Sequence, residues 1–186
     1  DGKYMAKAKK GDIYNEVTGS LWKGPEGITV TPVLYINTFN EWKEKGDSPG
    51  RPIKIHMDPS IMSETTRGED NKDRLKNGHY VEDTGNHFVF ILDKNLVPVE
   101  QALIAMKSTQ KKKSKTWNSM MQTRRMDGKE GFFRPPTWAT TYHLTTTRES
   151  NSKNHWYGWV VEFDQYLTPA THPKTLETTR AFYHSA

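Results

Sequence analysis

Between Thr137 and Phe163 the bulky side chains recur at every second position, and that period belongs to extended chain. In Thr137–Thr147, the residues Trp138, Thr140, Tyr142, Leu144 and Thr146 share one face. In His155–Phe163, one face carries His155, Tyr157, Trp159, Val161 and Phe163, and the other Trp156, Gly158, Val160 and Glu162. The polar stretch Ser150–Asn154 joins them as a hairpin loop. A two-stranded ribbon is not stable alone, so the rest of the chain must complete a sheet. Ile28–Ile36 alternates in the same way, with Ile28, Val30, Pro32, Leu34 and Ile36 on one side, and Pro32 marks it as an edge or bulged strand. Ile53–Met57 reads as a short strand, and Asn77-Gly78 as a hairpin turn. His87–Leu92 and Val97–Met106 read as strands joined at Asp93-Lys94-Asn95.

Two segments have helical spacing. Ser108 or Thr109 is placed to cap a helix running to about Met126, with Trp117, Met120 and Met121 at i, i+3 and i+4 as its buried stripe. Pro173 precedes a terminal helix, Lys174 to His184, with Leu176 and Tyr183 on one side. Residues 1–11 read as a mobile basic arm, Gly46–Pro52 as a loop, and Asp58–Asn77 as a long polar loop or flap with one helical turn. The order is several strands, one basic helix, a hairpin and a closing helix. That is a mainly β single domain over residues 12–186, most economically a small barrel or strongly bent sheet.

Composition narrows the chemistry. Only 33% of residues are hydrophobic, yet the chain holds six Trp, eight Tyr and seven Phe. Disordered chains are poor in aromatics, so this is a folded domain with long solvated loops. There is no cysteine, which excludes disulfides, Cys-ligated zinc, iron–sulfur clusters and thiol catalysis and suits a reducing compartment. No apolar run approaches the roughly 20 residues of a membrane span, and no signal-peptide core appears; a soluble, intracellular protein with no membrane partner is expected. The seven histidines, His56, His79, His87, His143, His155, His172 and His184, show no metal-ligand spacing. GxSxG, Walker A and GxGxxG are absent. Glu41-Trp42-Lys43 and the pair Glu162 and Asp164 each imitate only part of a metal-dependent nuclease site. No enzyme activity and no cofactor are expected.

The charge is uneven. The net charge is +5, yet Lys107–Arg125 alone holds seven basic residues and no acid. Such a stripe is the footprint of a polyanion-binding protein, although a solvated Lys-rich face has the same composition. A single-strand binder needs a cationic groove together with aromatics that stack on bases. The cationic candidates are Lys107, Lys111, Lys112, Lys113, Lys115, Arg124 and Arg125. The stacking candidates are Trp117, Trp138, Tyr142, Trp156, Tyr157 and Trp159. The competing role for these aromatics is core packing, for which their alternation is equally suited. With Trp on both faces of one strand, at least one of Trp156 and Trp159 must be partly exposed. Nothing around Lys111–Lys115 resembles a base-reading recognition helix, so sequence-independent binding is favoured. The alternatives are a virion or scaffold module whose basic segment meets an acidic partner or packaged genome, and, third, a metal nuclease at Glu162 and Asp164.

Asp12-Ile-Tyr-Asn-Glu-Val-Thr-Gly19, Gly27-Ile-Thr-Val-Thr-Pro-Val-Leu-Tyr35 with Glu41-Trp42, Phe133-Arg-Pro-Pro136, Trp156-Tyr-Gly-Trp159 and, most specific, Ala105–Met121 together resemble a family of tailed-bacteriophage single-stranded DNA-binding proteins of OB-fold type. The resemblance spans about residues 12 to 165. It implies an OB-like barrel that binds viral replication or recombination intermediates without catalysis, in the host cytoplasm, with phage or host replication proteins as further partners. The motif itself carries over Lys111, Lys112, Ser114, Lys115, Trp117 and Asn118. For Trp117, Met120 and Met121 at helical spacing favour anchoring the helix in the core over stacking on bases.

Overall fold

The computed structural model describes residues 7–44, 50–152 and 154–185. In chain order it contains β1 (Ile13–Tyr14), β2 (Leu21–Trp22), β3 (Ile28–Trp42), β4 (Lys54–His56), β5 (Thr66–Arg67), β6 (Asp73–Arg74), β7 (Tyr80–Leu92) and β8 (Pro98–Lys107). Then follow α1 (Lys111–Thr123), β9 (Met126–Gly128), β10 (Gly131–Phe133), β11 (Thr140–Ser150), β12 (His155–Tyr166) and α2 (Pro173–Ser185). Short 3-10 turns lie at Pro59–Glu64, Ser108–Gln110 and Thr137–Ala139. Residues 1–6 of the expected arm and 46–49 of the expected loop lie outside the described residues.

The long strand β3 is the spine. It pairs antiparallel with β7 from Thr29↔Leu92 to Trp42↔Tyr80. Its other edge is shared, with β11 pairing at Tyr142↔Val30 and β4 at Phe39↔His56. β8 continues the sheet beyond β7, and β12 beyond β11. The result is a mainly β, curled, barrel-like sheet. Pro32 sits inside it, and the strand answers with a register shift between Pro32 and Leu34; a bulge of this kind tolerates the missing N–H. Up to the bulge the alternation holds, with Val30 in the barrel and Val33, 1% exposed, in a second core on the outer face. Beyond it the faces swap: Tyr35, not Leu34, pairs with His87, which lies on the same side of β7 as the interior Val89, and their rings are 4.8 Å apart.

The barrel interior is packed by Val30, Val89, Ile91, Met106, Tyr142 and Leu144, with Trp117 and Met121 delivered by α1. The outer core around Val33, Phe90 and Leu92 is covered by Phe182 of α2 and by Trp138. α1 sits directly on β7 because Gly85 leaves room for it: a Cβ there would stand 2.3 Å from Ser114 Oγ. Among the described residues β8 and β12 do not pair, and two devices span the gap. Gln110 accepts from the Trp159 backbone N–H at 2.8 Å. The β1–β2 hairpin reaches β8 through Asn15, Thr18 and Ser20, all donating to Glu100, and reaches β11 where Thr146 Oγ1 donates to Gly11 O at 2.5 Å.

The expected flap is partly structured. After the 3-10 turn, β5 and β6 form a small hairpin that extends the sheet at Asp73↔Val81. The neighbouring Glu41 is 8% exposed and accepts from His79 Nδ1 at 2.7 Å and His56 Nε2 at 2.8 Å. The bond from His79, followed by that from His56, holds the carboxyl below its usual value and ties β4 and the turn before β7 to the spine. No helix among the described residues is long and apolar enough to cross a membrane.

Candidate nucleic-acid interface

α1 has one apolar stripe and no acid, so its two sides meet different surroundings. Ser114, Trp117 and Met121 are buried. The Trp117 indole stacks on His87 with centroids 4.3 Å apart and 18° between planes, and meets Tyr142 edge-on at 5.7 Å. His87 Nε2 lies 2.8 Å from Ser114 Oγ. Burial, reinforced by the Lys111 charge, pushes the His87 pKa down to about 3, so the ring is neutral at ordinary pH. Trp117 and Tyr142 are both 0% exposed. Neither is available to stack on a base. Their large faces are consumed in closing the barrel, as the i, i+3, i+4 stripe favours for Trp117.

The basic segment is less basic than its sequence suggests. Lys107 reaches Glu82 at 2.8 Å, Lys111 reaches Asp83 at 2.6 Å, and Lys113 reaches Glu149 at 2.9 Å. These acids come from β7 and the end of β11, so folding neutralises three of the seven cations. The Lys113 bond, with Trp156 and Gln110 behind it, holds the Glu149 carboxyl below its ordinary value. Lys112 and Lys115 make no ion pair among the described residues. They share the exposed face of α1 with Thr116, Ser119, Gln122 and Thr123. Arg124 lies over the Phe163 ring at 4.1 Å. Arg125 closes the helix by donating to the carbonyls of Gln122 and Arg124 at 2.9 and 2.8 Å. Among the described residues four cations are left without an acidic partner, Lys112 and Lys115 on α1 and Arg124 and Arg125 just after its end.

The aromatics of β11 and β12 are largely occupied. Trp156 is half-buried and donates from Nε1 to Glu149 at 2.7 Å. Trp159 is half-buried against the interior core, and Trp138 is held between the outer core and α2. Tyr157 alone among them is exposed, at 44%, with its ring lying over Gly11. Trp156 and Trp159 are thus both partly exposed, as Trp on two faces of one strand demands.

Two aromatics not named as stacking candidates from the sequence are also exposed. The hairpin β9–β10 follows α1 directly and presents Phe132 at 77% and Phe133 at 45% exposure. Phe133 pairs in register with Met126, next to Arg125. The hairpin is otherwise charge-balanced, with Asp127 and Glu130 against Lys129 and Arg134 close by. Adjacent phenylalanines between Gly131 and Arg134-Pro135-Pro136 show no alternation that would hand one of them to a core, and that is the signal that marks them as surface groups. Elsewhere, Asp164 accepts from Thr141 Oγ1 at 2.8 Å, and no group of three His, Asp or Glu side chains among the described residues is placed to hold a metal ion.

The profile of one protein family, described as Pam3 phage gp34-like protein, matches the chain over residues 1–186. No curated protein and no solved structure matches it.

Proposed function

The chain belongs to the Pam3 phage gp34-like family, and we propose that this phage protein is a sequence-tolerant single-stranded DNA-binding protein that shields replication or recombination intermediates in the host cytoplasm. The observation that carries the proposal is that cations without an acidic partner among the described residues, Lys112 and Lys115 on the exposed face of α1 and Arg125 just after it, run directly into a hairpin whose Phe132 and Phe133 rings are exposed. The cations would track phosphates and the rings would stack bases, which is the pairing of forces that sequence-independent strand binding requires. The pairing order also supports an OB-type barrel. Three consecutive antiparallel strands, β3, β7 and β8, are followed by a helix and then by β11–β12, with β11 returning to β3; a five-stranded, partly open barrel of that kind is a common oligonucleotide-binding scaffold.

The test is a titration with poly(dT) and with duplex DNA at several salt concentrations, followed by intrinsic tryptophan fluorescence and anisotropy. Preferential binding of the single strand with a steep salt slope is expected. The triple variant Lys112→Ser, Lys115→Ser, Arg125→Ser should flatten that slope by roughly 0.7 per lost contact. Replacing Lys107, Lys111 and Lys113 should leave it nearly unchanged, because their charges already face acids. Equal binding of duplex, or an unchanged slope in the first variant, would overturn the proposal.

A second reading, a virion or scaffold module, draws on a different surface. Val99 and Leu103 are 57% and 54% exposed on the outer face of β8, with Val97 just before it at 49%. That reading predicts stable self-association and no discrimination between DNA forms.

A further inference from the structure

Between α1 and α2 the fold leaves a cleft of about 540 Å³. Its walls are the aromatic rings of Tyr35, Trp138 and Tyr183, with Met121, Pro135 and Pro136 completing the apolar lining. Three polar side chains converge on the same space: Asn118 and Gln122, one turn apart on α1, and Arg134 from the segment leaving β10. None of the three side-chain heads makes a hydrogen bond or ion pair among the described residues. The surrounding polar groups, by contrast, are committed: the Tyr35 hydroxyl donates to Asn37 at 3.1 Å.

We propose that this cleft receives one nucleobase splayed from the bound strand, with its flanking phosphate on Arg134. An aromatic-walled space with a few unspent polar groups is the form of a small-ligand site. The chemistry selects a nucleotide among such ligands. Flat π-faces match the rings of Tyr35, Trp138 and Tyr183. A carboxamide offers a donor and an acceptor side by side, the arrangement that pairs with a base edge, and two of them that rotate freely accept more than one base. A guanidinium binds phosphate oxygens through two parallel N–H groups. The cleft opens beside the C-terminal half of α1, so a strand tracked by Lys112, Lys115 and Arg125 passes its mouth. The inference rests on the proposed strand binding, and it adds a fixed, specific seat for one nucleotide.

The experiment is ultraviolet cross-linking of the full chain to a dT oligomer carrying 5-iodouracil, with the adduct mapped by mass spectrometry, alongside affinity measurements on Tyr183→Ala and on Asn118→Ala with Gln122→Ala. These side chains are exposed or half-buried, so the variants should remain folded, which circular dichroism checks. Adducts on Trp138, Tyr35 or Tyr183, with affinity weakened roughly tenfold in each variant, are expected. Strong oligomer binding with adducts confined to Phe132 and Phe133, and unchanged affinity in the variants, would overturn the cleft while leaving strand binding intact. If no oligomer binds, strand binding itself fails. The cleft is then judged by dTMP titration: shifts of the Trp138 indole resonance, lost in the Asn118→Ala, Gln122→Ala variant, would sustain it, and their absence would overturn it.

Discussion

The two sides of α1 divide the work of one helix between them. Inward, Trp117 is 0% exposed, stacked on a neutral His87 and edge-on to Tyr142. Outward, Lys112 and Lys115 stand in solvent, and the chain then runs into a hairpin whose Phe132 is 77% exposed. Aromatics occur on both sides, but their physical tasks are opposite. An indole inside the barrel gains its free energy from burial that is complete before any ligand arrives. A phenyl ring left in water gains it only when something covers it. Exposure, and not aromatic content, therefore separates the rings that build this protein from the rings with contact area to offer.

The strongest way to break that contrast is to remove the inner anchor. Trp117→Ala should destabilise the fold by about 3–5 kcal/mol, the usual cost of truncating a fully buried aromatic, measured by urea unfolding. A loss below about 1 kcal/mol would mean that the indole is not the keystone its burial implies. Next in size is the outer pair. Phe132→Ala with Phe133→Ala should change stability by no more than about 0.5 kcal/mol, yet cost about 1–3 kcal/mol of single-strand affinity for each base that had been stacked. If the double variant instead unfolds early and binds normally, the hairpin belongs to the core and the contrast collapses.

How much of this division is written locally in the chain differs from element to element. The α1 stripe, the Pro32 bulge, the Asn77-Gly78 turn and the β11–β12 hairpin are legible because each depends on spacing or turn chemistry within a few residues. The first half of β7 is not. Tyr80–Asn86 is polar, with Asp83, Gly85 and Asn86 all poor strand formers, so the pattern alone starts the strand at His87. It extends because the long β3 offers a partner, and polar side chains bridge the ladder: Asn37 to Asp83 at 3.0 Å, Asn40 to Thr84 at 3.2 Å and Asn86 to Thr38 at 2.9 Å. The charge of the basic segment is hidden for the same reason. Glu82, Asp83 and Glu149 lie outside it in sequence and meet Lys107, Lys111 and Lys113 only once β7, β11 and α1 are assembled.

The smallest expected effect sharpens the inner half of the contrast, because it reads the barrel interior through protons. His87 is held neutral, with a pKa of about 3 in the folded chain against an ordinary 6.5. Between those values the unfolded chain binds a proton that the native chain refuses, so acidification favours unfolding and stability rises with pH across that window. The penalty is negligible above about pH 7 and reaches roughly 1 kcal/mol by pH 5.5. Comparing urea midpoints of the wild type and His87→Gln at pH 7 and pH 5.5 isolates it, since the other six histidines are common to both chains. The variant should lose about 1 kcal/mol less on acidification, whatever its absolute stability. An identical loss in both chains would mean that His87 takes up its proton in the native state, and that the space beneath α1 admits water as freely as the face above it.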